Sequence, residues 1–442
     1  MSVIGELARF VREASVQSLT QDERAMLARH TADIAIAGIA GARTHEAKAL
    51  RALAPQARGD EAIAIAAAVV RHTEVDDIHL PSCTTPGSVT VPAALMLAAR
   101  QGDFDAARIA DAIWIGTELV TRFGIAIDGP NALYRGVWPT CVAAPLGVAA
   151  VAARLWGLDQ AKTEDALSLA LMLMGGRTGR FAGALSGRWI LFIGAVAEGL
   201  RAAHAAQAGF CGDASLLDGP WLEKAQGIPA DVARLTSGLG QSSIYPTLSM
   251  KPFCTARQAL GAADAFMQLL DEGLDPNTVE SVLVRVPQTY AGMISQPIHA
   301  SNRSSGFVSA GFQMGLAAFA RESLWDLERG PSVMTNAKVL AFAARTTVVA
   351  EAALQAEFPT RWPATIEVSA GGKTLTRTVL SVIGDPGRRL GDDDVARKAE
   401  RILTPLVGTS QTAETIATAM HGLETSANAK RLAEMFAAAM GA

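Results

Sequence analysis

Tyrosine is scarce in this chain, with three in 442 residues and an aromatic share of only 5%. A core this poor in rings has to be built from aliphatic side chains, and half of the residues are hydrophobic. Charge is sparse too. Charged residues make up 19%, the formal net charge is −4, and no basic run or aromatic-interleaved cationic stretch is present to grip nucleic acid. Four cysteines, Cys83, Cys141, Cys211 and Cys254, stand far apart without C-x-x-C spacing. That argues against a zinc knuckle or a disulfide framework and fits a reducing cytoplasm.

Other signals are missing as well. The histidines show no paired spacing, so no metal site is expected, although Asp76, Asp77 and His79 are close in sequence. There is no Walker motif and no G-x-G-x-x-G between a strand and a helix; the nearest run, GGRTGRFAG at 175–183, lies between helical stretches. No cofactor is expected. The charge-free stretch from Leu80 to Ala99 is broken by Pro, Gly, Ser and Thr, so it does not read as a membrane span. The first residues, MSVIGELARFVREAS, mix charge with short apolar pieces, unlike a signal peptide. The expectation is a soluble, cytoplasmic, mostly helical protein.

What the chain has in abundance is helical periodicity. From Gly5 to about Ala265, apolar residues recur three and four apart, as in DERAMLARHTADIAIAGIAG and DAARIADAIWIGTELVTRFG. Thr163, followed by Glu164 and Asp165, reads as a helix start. Insertions rich in Gly, Pro and polar residues separate the runs at 76–88, 124–140, 175–187 and 236–255. After Glu272 the texture changes. VESVLVRVP alternates as a half-buried strand, a helix follows at 306–321, and TRWPATIEVSAGGKTLTRTVLSV reads as two strands around Gly371–Gly372. GDDDVARKAERILTPL and the tail from Glu414 to Met440 return to helix. The fold class is therefore mainly α: an all-helical bundle over 1–268, completed by 396–442, with a smaller α+β domain inserted at 269–395.

Reactive side chains collect in the insertions. Tyr134, Tyr245 and Tyr290 all lie in or beside turn-rich segments, although each is equally well read as a buried ring whose hydroxyl meets backbone. Arg122, Arg135, Arg177, Arg180, Arg188, Lys251, Arg257 and Arg303 fall at helix ends or in these insertions. Helix dipoles account for about half of such placements. If several of these cations converge, they would bind a polycarboxylate and stabilise an enolate formed beside it. Cys83, a lone cysteine near a histidine, reads as inert.

The order of segments resembles the MmgE/PrpD family along essentially the whole chain. A DD-containing loop leads into PGSVTVPAAL. RGVWPT then opens an alanine-rich helix ending in LWGLD, and SGRWILFIGAVAEGLRAAHAAQAGFCG and KPFCTARQALGAADA follow. That family includes 2-methylcitrate dehydratase, cis-aconitate decarboxylase and iminodisuccinate epimerase. The resemblance implies a discontinuous helical domain with an α+β lid, a site between them, no cofactor and a homodimer. It also implies departures. Thr85 and Trp138 stand where the dehydratase and decarboxylase members carry histidines, and Arg188 stands in place of a lysine. Lys251 is retained, and Tyr290 matches a tyrosine of the lid.

What remains looks like the epimerase branch, with DDIH, LYRGVWPT and KPFCTARQ. An epimerase or racemase acting on a small amino- or imino-polycarboxylate needs two bases flanking one carbon. Tyr134 and Lys251 are the expected pair, with His79 in reserve and Asp76 or Asp77 either orienting it or capping the next helix. Asp77, Thr85, Arg135, Trp138, Arg188, Tyr290 and Arg303 are expected to contact substrate. A dehydratase or decarboxylase of a tricarboxylic acid, or an idle carboxylate-binding homologue, are the rival readings.

Overall fold

The computed structural model describes residues 2–53, 59–175 and 187–441. Arg177, Arg180 and most of the 175–187 insertion therefore lie outside the described residues. Helices dominate, with 22 α-helices and two small sheets among the described residues. The chain divides into two compact units. The first contains the described residues up to Leu248 and from Leu406 onward; the second runs from Ser249 to Pro405. These divisions fall at 248 and 405, so the helix Arg257–Asp271 and most of Asp392–Val407 belong with the second unit.

In the first unit, local chemistry sets the helix ends. Thr20 and Glu23 form a reciprocal capping box at the start of Gln21–Gly41. The helix expected to start at Thr163 begins one turn earlier, at Gln160, because the Asp159 carboxylate caps the Lys162 N–H at 2.9 Å. The central helix Pro139–Trp156 is, among the described residues, the one long and apolar enough to cross a membrane. Its 18-residue window is 89% buried against its neighbours, the condition of a bundle's core helix. It lies close against Ala106–Ala126 because both present glycine at the crossing. A Cβ on Gly147 would sit 2.3 Å from a Val120 methyl, and one on Gly116 would sit 2.6 Å from Val151.

The second unit is built on a four-stranded sheet in the order Thr346–Ala350, Val279–Val286, Ala364–Ala370, Lys373–Val379. The first pair is parallel, with Val284 opposite Val348. The others are antiparallel, with Val284 opposite Ile366 and Ile366 opposite Arg377. Gly371 and Gly372 both take positive φ, 55° and 73°, as a tight hairpin turn requires. The strand Thr346–Ala350 went unrecognised in the sequence, since five residues are too few to show a period. The helix expected over 306–321 is two helices, Arg303–Val308 and Ala310–Phe319, with Ser309 capping the second through the Phe312 N–H.

Candidate active site

The acidic loop of the first unit is the foundation of the site. His79 donates its backbone N–H to the Thr84 carbonyl at 2.8 Å, closing the loop into a tight bend. Gly129 lets the next helix rest on it, since a Cβ there would lie 1.9 Å from the Ser82 carbonyl oxygen. Cys83 takes a positive φ of 52° in this bend, and burial pushes its thiol up to about 12 against the lowering pull of Arg71. A thiol held protonated this way is not a nucleophile.

The two aspartates have separate tasks. The Asp77 Oδ2 accepts the Gly87 N–H at 2.9 Å, at the first residue of the helix Gly87–Gln101, and sits 3.0 Å from His30 Nε2. Asp77 therefore caps a helix and binds His30, a partner 47 residues away that no local motif announces. Asp76, wholly buried, faces Arg71, whose Nη1 lies 3.4 Å from Oδ2 and 3.1 Å from Glu74 Oε2. Burial weakens the Arg71 cation, but Asp76 and then Glu74 outweigh it and raise its pKa above the ordinary arginine value.

His79 is held differently from the reserve base expected of it. Its Nδ1 lies 2.8 Å from Ser82 Oγ and its Nε2 lies 3.1 Å from Thr247 Oγ1. The Thr247 hydroxyl donates to the Ile244 carbonyl at 2.7 Å, so it accepts from His79 and the ring proton is assigned to Nε2. Burial lowers the ring's pKa to about 3, opposed by the charge of Asp77. A neutral imidazole with both nitrogens engaged braces the loop and is a poor proton acceptor.

The positions expected to carry substrate contacts converge in part. The Thr85 backbone N–H donates to Thr140 Oγ1 at 3.0 Å, and its hydroxyl sits among those of Ser88 and Thr140 at 3.2 and 3.3 Å. Two residues before Thr140, Trp138 precedes the helix Pro139–Trp156 as its N-cap residue. Its indole stacks on Phe192 at 5.4 Å and meets Trp189 edge-on at 6.3 Å. Arg188 opens the helix Arg188–Gln207 with its guanidinium carbon 4.6 Å from the Trp138 ring centre and 4.5 Å from that of Trp189. Arg71 lies 6.0 Å from the same Trp138 ring. Loss of solvent, then repulsion from Arg71, brings the Arg188 pKa down to about 10. It remains a cation at neutral pH, and two guanidinium groups thus lie within 6.0 Å of one indole ring centre.

Tyr134 and Arg135 end the short helix Gly129–Tyr134 on the exposed side of the first unit, with Tyr134 at 37% exposure. The Tyr245 ring is buried, with its hydroxyl 3.4 Å from Thr117 Oγ1, and burial raises its pKa. Arg122, grouped with the candidate cations above, is structural. It pairs with buried Glu118 at 2.9 Å and donates to the Ser237 carbonyl at 2.8 Å, tying down the segment that carries Tyr245.

In the second unit, Lys251 is buried just after the strand Leu248–Met250. Arg257 of the same segment forms a buried two-pronged pair with Asp385, Nη2 to Oδ2 at 2.5 Å and Nε to Oδ1 at 3.2 Å, and so holds the fold together. Tyr290, expected at the substrate, donates its hydroxyl to the Pro363 carbonyl at 2.8 Å inside a cluster with Phe358 and Trp362. Burial raises its pKa. Arg303 donates to the Leu327 carbonyl at 2.7 Å and lies 5.1 Å from the Phe307 ring. Both side chains are committed to their own unit's backbone.

Arg71, Glu74 and His30 escaped the sequence reading because they lie within helical runs or beside them, where an isolated charge looks like surface. Among the described residues, no cluster of three or more His, Cys, Asp or Glu side chains is arranged to hold a metal ion.

No curated protein matches the chain in a sequence comparison. Family models do: the MmgE/PrpD N-terminal domain matches residues 5–227 and the MmgE/PrpD C-terminal domain matches residues 253–422. The family includes enzymes that act on small carboxylates, dehydratases, epimerases and decarboxylases among them. Matched in order by both domain models over most of its length, the chain belongs to the MmgE/PrpD family.

Proposed function

We propose that the protein is a cofactor-independent epimerase or racemase of a small amino- or imino-polycarboxylate of the iminodisuccinate type, working as a cytoplasmic homodimer. The observation that carries this reading is the pair Thr85 and Trp138. The Thr85 hydroxyl is bound among neutral hydroxyls and the Trp138 ring is covered by Arg188. Neither side chain can shuttle a proton at neutral pH, so an elimination relying on imidazoles at those positions has no acid or base there.

The chemistry left to the site is simpler. One base takes the proton alpha to a carboxylate, the C–H electron pair moves into that carboxylate as an enediolate, and a second base returns a proton to the opposite face. Arg188 supplies positive charge for a substrate carboxylate and for the charge that develops on it, while Arg71 is neutralised by Asp76 and Glu74. Tyr134 and Lys251 are proposed as the two bases. Tyr134 is 37% exposed and ends the helix Gly129–Tyr134, and Lys251 carries an amine just after the strand Leu248–Met250.

Incubation with aspartate-derived imino- and amino-dicarboxylates in deuterated water tests this. Exchange of the alpha hydrogen without new alkene absorbance is the expected result. Appearance of an unsaturated product or of carbon dioxide would instead identify a lyase, and binding without exchange would identify an idle homologue. Tyr134→Phe and Lys251→Ala should each abolish exchange while leaving binding partly intact; if neither slows it, the base assignment fails.

A further inference from the structure

Residues 251–256 join the strand Leu248–Met250 to the helix Arg257–Asp271, form neither helix nor strand, and are all buried. Irregular buried chain has no ladder to satisfy its polar groups, so other partners must do it. Just before Lys251, the Met250 N–H donates to the Gly384 carbonyl at 3.0 Å. Gly384 can come this close only without a side chain, since a Cβ there would lie 2.0 Å from the Met250 carbonyl oxygen. Pro252 then disfavours helical backbone at Lys251 itself. Beyond it, the Trp325 indole N–H donates to the Pro252 carbonyl at 2.9 Å, and the Cys254 N–H donates to the Leu324 carbonyl at 3.0 Å. The Cys254 carbonyl accepts from Arg329 Nη2 at 2.9 Å and from Gln313 Nε2 at 3.2 Å. Gln313 shares that amide with the Gly306 carbonyl at 3.0 Å, so Arg329 is both the closer and the charged donor.

Arg329 is a costly residue to keep for stability alone. Its guanidinium is buried, and among the described residues no carboxylate pairs with it. Nη2 also reaches the Leu324 carbonyl at 3.5 Å and the group lies 5.0 Å from the Phe307 ring centre, but Nε and Nη1 have no hydrogen-bond partner. Loss of solvent brings its pKa down to about 10, so it remains charged at neutral pH. Its φ of 46° is left-handed backbone, which a residue with a Cβ adopts only under constraint. An uncompensated buried cation and a strained backbone both oppose folding, and such features persist where function requires them.

We propose that Arg329, together with Trp325, is a positioning residue that fixes the chain at Lys251. The inference rests on Lys251 being one of the two bases. Both side chains act through the Cys254 and Pro252 carbonyls, one to three residues beyond Lys251. A reacting group displaced by about 1 Å can lose ~100-fold in rate, so a loosened segment is read in turnover before it is read in binding.

Arg329→Met and Trp325→Phe in the full chain test it, the first removing the buried charge and the second keeping a ring without its N–H. Alpha-hydrogen exchange of the imino- and amino-dicarboxylates should show kcat at least tenfold lower in each, with KM within threefold of wild type. Arg329→Met should melt no lower than wild type, and Arg329→Lys should recover part of the turnover. Amide hydrogen exchange across 250–257 should be at least tenfold faster in both variants. A purely structural arginine would lower melting temperature and turnover together, and that result overturns the proposal. So does a loss of kcat below tenfold in either folded variant while Lys251→Ala is inactive. Turnover retained by Lys251→Ala instead removes the base assignment, and this inference with it. If the wild type turns over none of these compounds, amide exchange decides, and unchanged exchange in the two variants overturns the proposal. Trp325→Phe carries the test alone if Arg329→Met does not fold.

Discussion

The guanidinium of Arg188 lies 4.6 Å from the ring centre of Trp138, with Arg71 at 6.0 Å from the same ring. A planar cation packed by its face on an indole has the direction of its N–H edges fixed. Glu74 and Asp76 hold Arg71 in place, and the Trp189 indole N–H donates to Glu46 at 2.5 Å. The two arginines are therefore positioned before any ligand arrives.

Arg188→Gln is expected to raise KM for a dicarboxylate about 10- to 100-fold, the worth of a charge-assisted hydrogen bond of ~1.5–3 kcal/mol. Arg188→Lys should recover little of this, because an ammonium neither stacks on the indole nor offers two parallel donors. Steady-state exchange kinetics read both. An unchanged KM in Arg188→Gln would remove the residue from the site.

Stability should fall with acid because of His79. Its folded pKa, about 3, lies below the usual ~6.5 of an unfolded histidine, so the unfolded chain takes up a proton that the folded chain refuses. This contribution is intact above pH ~6.5 and is lost as pH falls towards 3, at up to ~1.4 kcal/mol per pH unit. Between pH 7.5 and 5.0 the wild type should lose about 2 kcal/mol more than His79→Gln, measured by urea denaturation. Equal losses in the two proteins would show that the ring titrates normally.

Asp77→Ala removes the carboxylate that holds both the Gly87 N–H and His30. Leaving buried polar partners unsatisfied costs about 1–3 kcal/mol each. A lowered melting temperature is the expected result, and Asp77→Asn should be milder because its amide oxygen can still cap the helix.

Tyr290→Phe separates two roles for that residue. With the hydroxyl given to the Pro363 carbonyl, the variant should cost ~1 kcal/mol of stability and leave exchange within twofold of wild type. A large loss of turnover with unchanged stability would return Tyr290 to the substrate.

In the second unit, Asp385→Ala strands the buried Arg257 cation and should destabilise by about 3–5 kcal/mol. Pairing Arg257→Met with Asp385→Leu should cost clearly less than the two single changes added together, since both charges leave at once. Denaturation midpoints of the four proteins close the cycle.

How far the sequence alone carries is clear from particular residues. Periodicity of 3.6 and of 2 placed the helices of the first unit and the hairpin around Gly371–Gly372, because those patterns follow from backbone geometry within a few residues. The motif order reached the family through the DD-containing loop, PGSVTVPAAL, RGVWPT, SGRWILFIGAVAEG and KPFCTARQALGAADA. Tertiary structure decided the partners. Asp77 reaches His30 across 47 residues, Arg257 reaches Asp385 across 128, and Arg71 and Arg188 meet on Trp138 from three separate segments. It also decided that His79 is neutral and that the Tyr290 hydroxyl is occupied. Side-chain type is written locally, but burial and charge neighbours, which set pKa and hydrogen-bonding role, exist only once distant segments have packed.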